Sequence, residues 1–371
     1  MKILYVVPNV NNEGGVARVL AIKTNYLIEK WDYQIDILTQ NNGNAPLFYD
    51  YNKKIVFYDM LLKGNLFQFI KTYRKSILKK INNLKPDVIV VCDNGFKAFL
   101  IPFILKTKIP IVLEIHSSLN IEEQENNKSF ISKIKANSIA KFKKISAKKF
   151  NKFVVETNES IQEWDIQNGV VIPNPLWFSS NKVADLKSNK VIAVGRHVYE
   201  KGFDRLLKIW QKVVINHLDW HLDIYGKSNE NLDLQKLATT LNINNNVAFF
   251  DPVKDINLKY QEASIYLLTS RFEGFGMVLI EAMESGLPCI AYDCPCGPRA
   301  IITNDDDGFL IENGNESDYI NAIETLISDE QKRFEMGKKA KISSLKYNID
   351  TIMPLWDTLF KNIITKANSQ F

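Results

Sequence analysis

The sequence predicts an α/β protein made of two parallel-sheet domains. Short apolar runs alternate with amphipathic stretches along most of the chain. With 371 residues and 46% hydrophobic content it can fill two cores of ordinary size. The prolines of Ile172-Pro173-Asn174-Pro175 interrupt regular structure near the middle. This reading places one domain at 1–172, a second at 173–350, and a last helix at 351–371 that packs back on the first domain.

In the first half, residues 1–8 read as a buried strand. The polar loop 9–15 follows, and its Gly14-Gly15 puts backbone amides at the start of a helix containing Val16, Val19, Leu20 and Leu27. On its own a Gly-Gly pair is equally a plain turn. Further strands are expected at 34–38, 54–58, 87–91, 111–115 and 152–157, with helices between them. His116 ends one of these strands, on an edge open to a ligand, and a lone histidine there is as readily structural as functional.

The charge is uneven. Residues 1–175 carry 25 Lys+Arg against 16 Asp+Glu, and the remainder 22 against 26, so the net charges are +9 and −4. Residues 128–152 concentrate this, with nine lysines and no acid, while Phe130, Ile131, Ile134, Ile139, Phe142, Ile145 and Phe150 form an approximate helical stripe. Two readings stand: a basic amphipathic helix lying on an anionic membrane through Lys141, Lys143, Lys144 and Lys148, or an ordinary helix with solvated lysines. No nucleic-acid recognition motif accompanies the basic residues.

In the second half, 190–194 reads as a strand, followed by Gly195-Arg196, then Lys201-Gly202, and a helix over 203–214. Arg196 offers a planar fork and Lys201 a point charge, both suited to anionic oxygens. Strands at 221–225 and 247–250 end in Gly226-Lys227 and Asp251-Pro252-Val253. The densest pattern follows at 266–302. A short strand leads into the turn 270–276 with its two glycines. A helix then carries Met277, Leu279, Ile280 and Met283, and Gly286 with Pro288 stops it before a second strand at 289–292. Such a βαβ unit opens its loop at the carboxyl end of a parallel sheet, where a helix N-terminus suits phosphate. Seven residues separate Glu273 from Glu281, so one precedes the helix and the other sits about two turns inside it. Each can accept sugar hydroxyls; a solvated helix with a capping glutamate is the competing reading.

Taken together, Gly195-Arg196, Lys201-Gly202, Glu273, Gly274-Phe275-Gly276, Glu281 and the run Gly297 to Ile302 resemble the signature of retaining GT-B glycosyltransferases, the large family four. Asp293-Cys294-Pro295-Cys296 resembles the branch that builds bacterial surface glycans. The resemblance implies a GT-B fold of two Rossmann-like domains facing across a cleft. It implies a UDP-sugar donor, a glycan acceptor joined to a polyprenyl diphosphate, and no metal or other cofactor. It further implies that Arg196 and Lys201 clamp the diphosphate with the amides of Gly274, Phe275, Gly276 and Met277. Glu273 takes sugar hydroxyls and Glu281 the ribose, Gly226 and Val253 meet the base through their backbone, Gly15 closes over the phosphates, and His116 bonds the sugar.

Other classes fit less well. The loop after the first strand lacks the G-x-G-x-x-G of dinucleotide binding. A sugar-nucleotide epimerase or hydrolase of the same fold normally lacks the glutamate pair, and a non-catalytic binding protein has no need of Arg196, Lys201, Glu273 and Glu281 together. Four cysteines in a chain this long form no disulfide framework, and no apolar run is long enough for a signal sequence or a membrane span. The expected location is therefore cytoplasmic, at the inner face of the membrane. Cys294-Pro-Cys296 has no histidine or second cysteine pair near it for a metal, and Asp305-Asp306-Asp307-Gly308 reads as an exposed turn, with a Ca²⁺ or Mg²⁺ site as the alternative.

Overall fold

The computed structural model describes residues 1–119, 130–180, 182–229 and 232–369. The chain divides into two compact units, Met1–Trp177 with Ile349–Phe371, and Phe178–Asn348.

The first unit holds a seven-stranded sheet: β1 (Lys2–Val6), β2 (Gln34–Gln40), β3 (Val56–Met60), β4 (Val88–Cys92), β5 (Ile111–Glu114), β6 (Lys152–Val155) and β7 (Gly169–Val171). Every pairing is parallel, in the order β3-β2-β1-β4-β5-β6-β7. Because side chains alternate along a strand, each strand feeds two cores. Leu4, Val6, Ile89, Val91 and Leu113 face one layer, covered by Tyr73, Ile77 and Ile81 of helix Leu66–Leu84. Ile3, Tyr5, Val88, Val90 and Val112 face the other, with Leu20 and Leu27 of helix Gly15–Trp31 and Ile352, Trp356 and Phe360 of helix Ile349–Asn368. The last helix is thus a wall of the first core. It is held there by bonds from Tyr26 Oη to Asp350 (2.7 Å) and from Tyr33 Oη to Asp357 (2.5 Å).

Two details depart from the sequence reading. Strand β7 was not expected, because three residues behind a glycine carry no usable alternation. The division from the second unit falls after Trp177 rather than after residue 172. Asn174 donates to Glu156 and the Arg18 guanidinium lies 4.5 Å over the Trp177 ring, which keeps 173–177 with the first unit.

The second unit is a six-stranded parallel sheet of β8 (Lys190–Val194), β9 (His221–Tyr225), β10 (Val247–Phe250), β11 (Ile265–Leu268), β12 (Cys289–Asp293) and β13 (Gly308–Glu312). Its order is β10-β9-β8-β11-β12-β13, so the winding reverses between neighbouring β8 and β11. Ligands of open α/β sheets bind at the carboxyl ends of the strands flanking such a reversal. In the first unit the same reversal lies between β1 and β4. Helix Phe203–Val214 seals one side of the second core with Leu206, Leu207, Trp210 and Val213, and Trp210 satisfies its indole N–H on the Asn246 carbonyl at 2.9 Å.

Trp356 is fully enclosed in the first core, with the Lys23 ammonium 4.0 Å above its ring. Replacing it with alanine is expected to destabilise the protein by about 3–5 kcal/mol through cavity formation. The check is the urea midpoint of the full chain, followed by near-UV circular dichroism.

Candidate active site

The loops after β8 and β11 meet backbone to backbone, and glycine makes the approach possible. Gly202 sits at φ +66°, and a Cβ there would lie 2.1 Å from the Thr269 carbonyl oxygen. A Cβ on Gly226, at the end of β9, would lie 1.7 Å from the Gly195 oxygen. Any other residue would force these strand ends apart. Thr269 ties the contact by donating from Oγ1 to the Gly202 carbonyl (3.0 Å), and Arg205 donates to the Thr269 carbonyl (2.5 Å). Outside this seam Arg271 grips Asp204 with two bonds of 2.8 and 2.7 Å and stacks 4.0 Å over Tyr199.

This seam sets Lys201 against Glu273. The ammonium donates to both carboxylate oxygens at 2.8 and 2.9 Å, and Ser270 Oγ donates to Oε1 at 2.6 Å. Glu273 is 6% exposed, so its charge depends on these partners. Arg196, on the same loop as Lys201, is exposed, and its guanidinium makes no ion pair among the described residues. Between them His197 is buried, its ring edge-on to Phe203 and Phe249, and burial lowers its pKa despite Asp251.

Past Glu273 the chain turns through Gly276 (φ +98°) into helix Met277–Glu284. At the start of this helix the Leu279 amide is taken by the Gly276 carbonyl at 2.8 Å, while Met277 and Val278 stand at the positions where α-helical amides lack a preceding turn to donate to. The loop after β12 lies against the turn: a Cβ on Gly297 would come 2.5 Å from the Phe275 oxygen and 3.0 Å from the Glu273 Cβ. Phe275 is buried edge-on to Tyr347. Two turns along, Glu281 is buried and accepts from Tyr260 Oη at 3.1 Å. Gly226 and the half-buried Val253 lie at the ends of β9 and β10, where the Gly226 amide donates to Phe250 (2.9 Å). Arg196, Lys201, Gly226, Val253, Glu273, Gly274, Phe275, Gly276 and Met277 therefore all follow the carboxyl ends of strands of one sheet, and Glu281 lies two turns along the helix.

The second unit's candidate metal residues are otherwise employed. Cys294 and Cys296 are buried and form no disulfide among the described residues. Asp307 is buried and accepts from the Thr303 amide at 2.7 Å, while Asp306 pairs with Lys339 at 2.7 Å, so the three acids build a turn.

In the first unit Gly15 opens helix Gly15–Trp31, and the Gly14 amide is taken by Asn12 Oδ1 at 2.8 Å. His116 lies in a buried polar cluster at the ends of β4, β5 and β6 that sequence reasoning missed. Its Nδ1 is 2.7 Å from Glu156, its Nε2 is 3.0 Å from Glu114, and Lys23 pairs with Glu114. Burial alone raises the Glu114 carboxyl, yet Lys23 and His116 overcome it and hold it at about 2. Burial likewise lowers the His116 imidazole, and its contacts with Cys92 and with the carboxylates of Glu156 and Glu114 overcome this and raise it well above the ordinary value. Cys92, Glu114 and His116 bring possible ligand atoms within 4.8 Å of one another, but the Lys23 ammonium already neutralises the carboxylate such an ion needs. The spread of these residues over 23, 92, 114, 116 and 156 left no local signal.

The basic helix Phe130–Ala147 corrects one expectation directly. Lys143 is buried, with its ammonium 5.4 Å over the Phe99 ring, and is not on a surface. Among the described side chains the buried ones are Lys143, Ser146, Ala147 and Phe150, while Ile134 and Ile145 of the apolar stripe are exposed; the side chains of Phe130 and Ile131 lie outside the described residues. Lys148 pairs with Asp165 at 3.0 Å, Lys141 is exposed and Lys144 half-buried. Lys128 lies outside the described residues.

Residues 178–343, nearly the whole second unit, match the family model described as glycosyl transferases group 1. Among sequence relatives, an uncharacterized glycosyltransferase of Haemophilus influenzae is 29% identical over 96% of this chain and 98% of its own. An amylovoran biosynthesis glycosyltransferase, AmsD of Erwinia amylovora, is 26% identical over 96% and 99%. Among solved structures, Anabaena HepE in complex with UDP superposes with a TM-score of 0.77 at 19% identity, covering 98% of this chain and 100% of that one. Two doubly wound parallel sheets, a group 1 match centred on the loops just described and full-length glycosyltransferase relatives lead to one conclusion: this chain is an enzyme, a glycosyltransferase of GT-B fold.

Proposed function

We propose that the enzyme is a retaining transferase of family four. It moves a sugar from a UDP-sugar to a hydroxyl of a growing bacterial surface glycan carried on a polyprenyl diphosphate, and works at the inner face of the membrane. The observation that carries this reading is the Lys201–Glu273 ion pair, at the winding reversal of the second sheet and on the loop that also bears the exposed Arg196. AmsD is named for amylovoran biosynthesis and HepE was solved with UDP, which motivates the choice of acceptor and donor.

In this reading the glycosidic bond from the donor anomeric carbon to the diphosphate oxygen breaks as the acceptor oxygen bonds to the same face of that carbon. The acceptor proton passes to the departing phosphate. Arg196, Lys201 and the amides of Gly274 to Met277 stabilise the charge growing on the leaving group, a preorganised electrostatic role. An ammonium has three N–H donors, so Lys201 can keep Glu273 in place while it reaches a phosphate oxygen. Glu273 accepts donor-sugar hydroxyls, Glu281 accepts the ribose hydroxyls, Gly226 and Val253 meet the base, Gly15 covers the phosphates and His116 bonds the sugar. No metal is required. Lys141, Lys144 and Lys148 face anionic lipid.

The deciding experiment incubates the protein with UDP- and GDP-sugars and lipid-linked acceptors in EDTA, reading nucleotide release and product mass together. Acceptor-dependent UDP release with a gain of one sugar supports the proposal; binding without turnover overturns it. Arg196→Ala, Lys201→Ala and Glu273→Ala are each expected to cut turnover at least about tenfold, or roughly 1.4 kcal/mol, with wild-type rates in folded variants removing those roles. His116 adds a pH signature. Its folded pKa lies above the unfolded value of about 6.5, so its contribution to stability is complete below that pH and fades as pH rises through the folded pKa. Thermal midpoints of wild type and His116→Gln should accordingly draw together as pH is raised above about 6.5.

A further inference from the structure

We propose that the turn over residues 61–67 and the helix that follows it form the bilayer-docking edge of the first unit, inserting apolar side chains between anionic headgroups. The inference rests on the membrane-surface reading above and deepens it by naming a different element from the helix Phe130–Ala147. Leu61, Leu66 and Phe67 are 67%, 73% and 76% exposed, three large apolar side chains within seven residues. Single exposed leucines are ordinary; a cluster of this kind marks an interaction site.

The turn is organised to hold them outward. Asn41 fastens it at one end, accepting from the Leu62 amide at 2.8 Å and donating to the Leu62 carbonyl at 3.1 Å. Gly64 turns the chain at φ +96°, and Asn65 and Gln68 close a reciprocal capping box with bonds of 3.0 and 3.2 Å. Helix Leu66–Leu84 then carries Lys71, Arg74, Lys75, Lys79 and Lys80 and no acid. Its buried stripe is Tyr73, Ile77 and Ile81, which leaves Lys71, Lys75 and Lys79 on the opposite side, exposed and without an ion pair among the described residues.

An apolar tip followed by unneutralised cations fits a layer that is hydrocarbon inside and anionic at its surface. The patch also continues along the same sheet layer. Arg74 donates to the Ile104 carbonyl at 2.8 Å, which ties the helix to the segment where Phe96 and Phe103, both part-exposed, flank Phe142 at 5.1 and 5.7 Å. Because the turn follows β3, it lies at the carboxyl edge of the sheet, the edge that also bears Gly14 and Gly15.

The test sediments the full chain with vesicles of phosphatidylglycerol or of phosphatidylcholine, comparing wild type with Leu66→Ser/Phe67→Ser and Lys71→Glu/Lys75→Glu. All four positions are exposed, and circular dichroism with nucleotide release on a water-soluble acceptor checks that fold and chemistry persist. Wild type is expected to bind phosphatidylglycerol selectively, and each double variant to lose at least about tenfold in partitioning. If wild type binds and both variants bind equally well, this edge is not the contact although the membrane reading stands. If wild type binds no vesicle, both fall. A wild-type dimer made monomeric by Leu66→Ser/Phe67→Ser, with vesicle binding unchanged, assigns the patch to a second copy and overturns the proposal.

Discussion

The second unit depends on a single close approach, the passage of Gly202 beneath the Thr269 carbonyl. Without it the loops after β8 and β11 could not share one surface, and Lys201 could not lie across both oxygens of Glu273. A buried carboxylate with no cation costs several kcal/mol, so the ion pair requires the seam as much as the seam permits the pair. Thr269 and Arg205 then serve geometry, each using a hydrogen bond to keep one of these two loops from sliding along the other, while Ser270 fixes the Glu273 carboxylate within its own loop. The chemistry proposed for Arg196 and Lys201 follows from that rigidity, because donors aimed in advance lose little on meeting charge.

The first unit solves a different problem. Parallel strands bring Glu114, His116 and Glu156 to adjacent strand ends in the interior, where separated charges are costly. Lys23, from the first helix, supplies one positive charge, and protonated His116 supplies a second, so two carboxylates meet two cations. Asn174 adds a neutral donor to Glu156 and by the same bond holds the crossing segment to this unit. Electrostatic balance and the position of the domain boundary are therefore linked through one carboxylate.

How far the sequence reveals this varies with the range of the interaction. Strands 190–194, 221–225 and 247–250 and the helix 203–214 are legible to the residue, because continuous apolar runs bounded by glycine or asparagine announce buried parallel strands. The loops that carry Arg196, Lys201 and Glu273 can be placed in the sequence for the same reason: each follows a strand, β8 or β11. What stays hidden is phase and distance. A helix with apolar residues on several sides does not disclose that Lys143 rather than Ile145 turns inward, since an alkyl stem packed on Phe99 looks in sequence like a solvated lysine. The Lys23–Glu114–His116 cluster is invisible for a plainer reason, its members being joined only by the sheet.

The helix Ile349–Asn368 has a consequence for how the protein is made. It contributes Ile352, Met353, Trp356, Phe360 and Ile363 to a core whose other members come from the first half of the chain. During synthesis that layer emerges from the ribosome early and stays uncovered while the whole of Phe178–Asn348 is translated, so the second unit can complete its core before the first does. In topological terms the second unit is an insertion in the first. A nascent chain stalled before Ile349 presents an open apolar sheet face to chaperones, and only the final turns of helix close it.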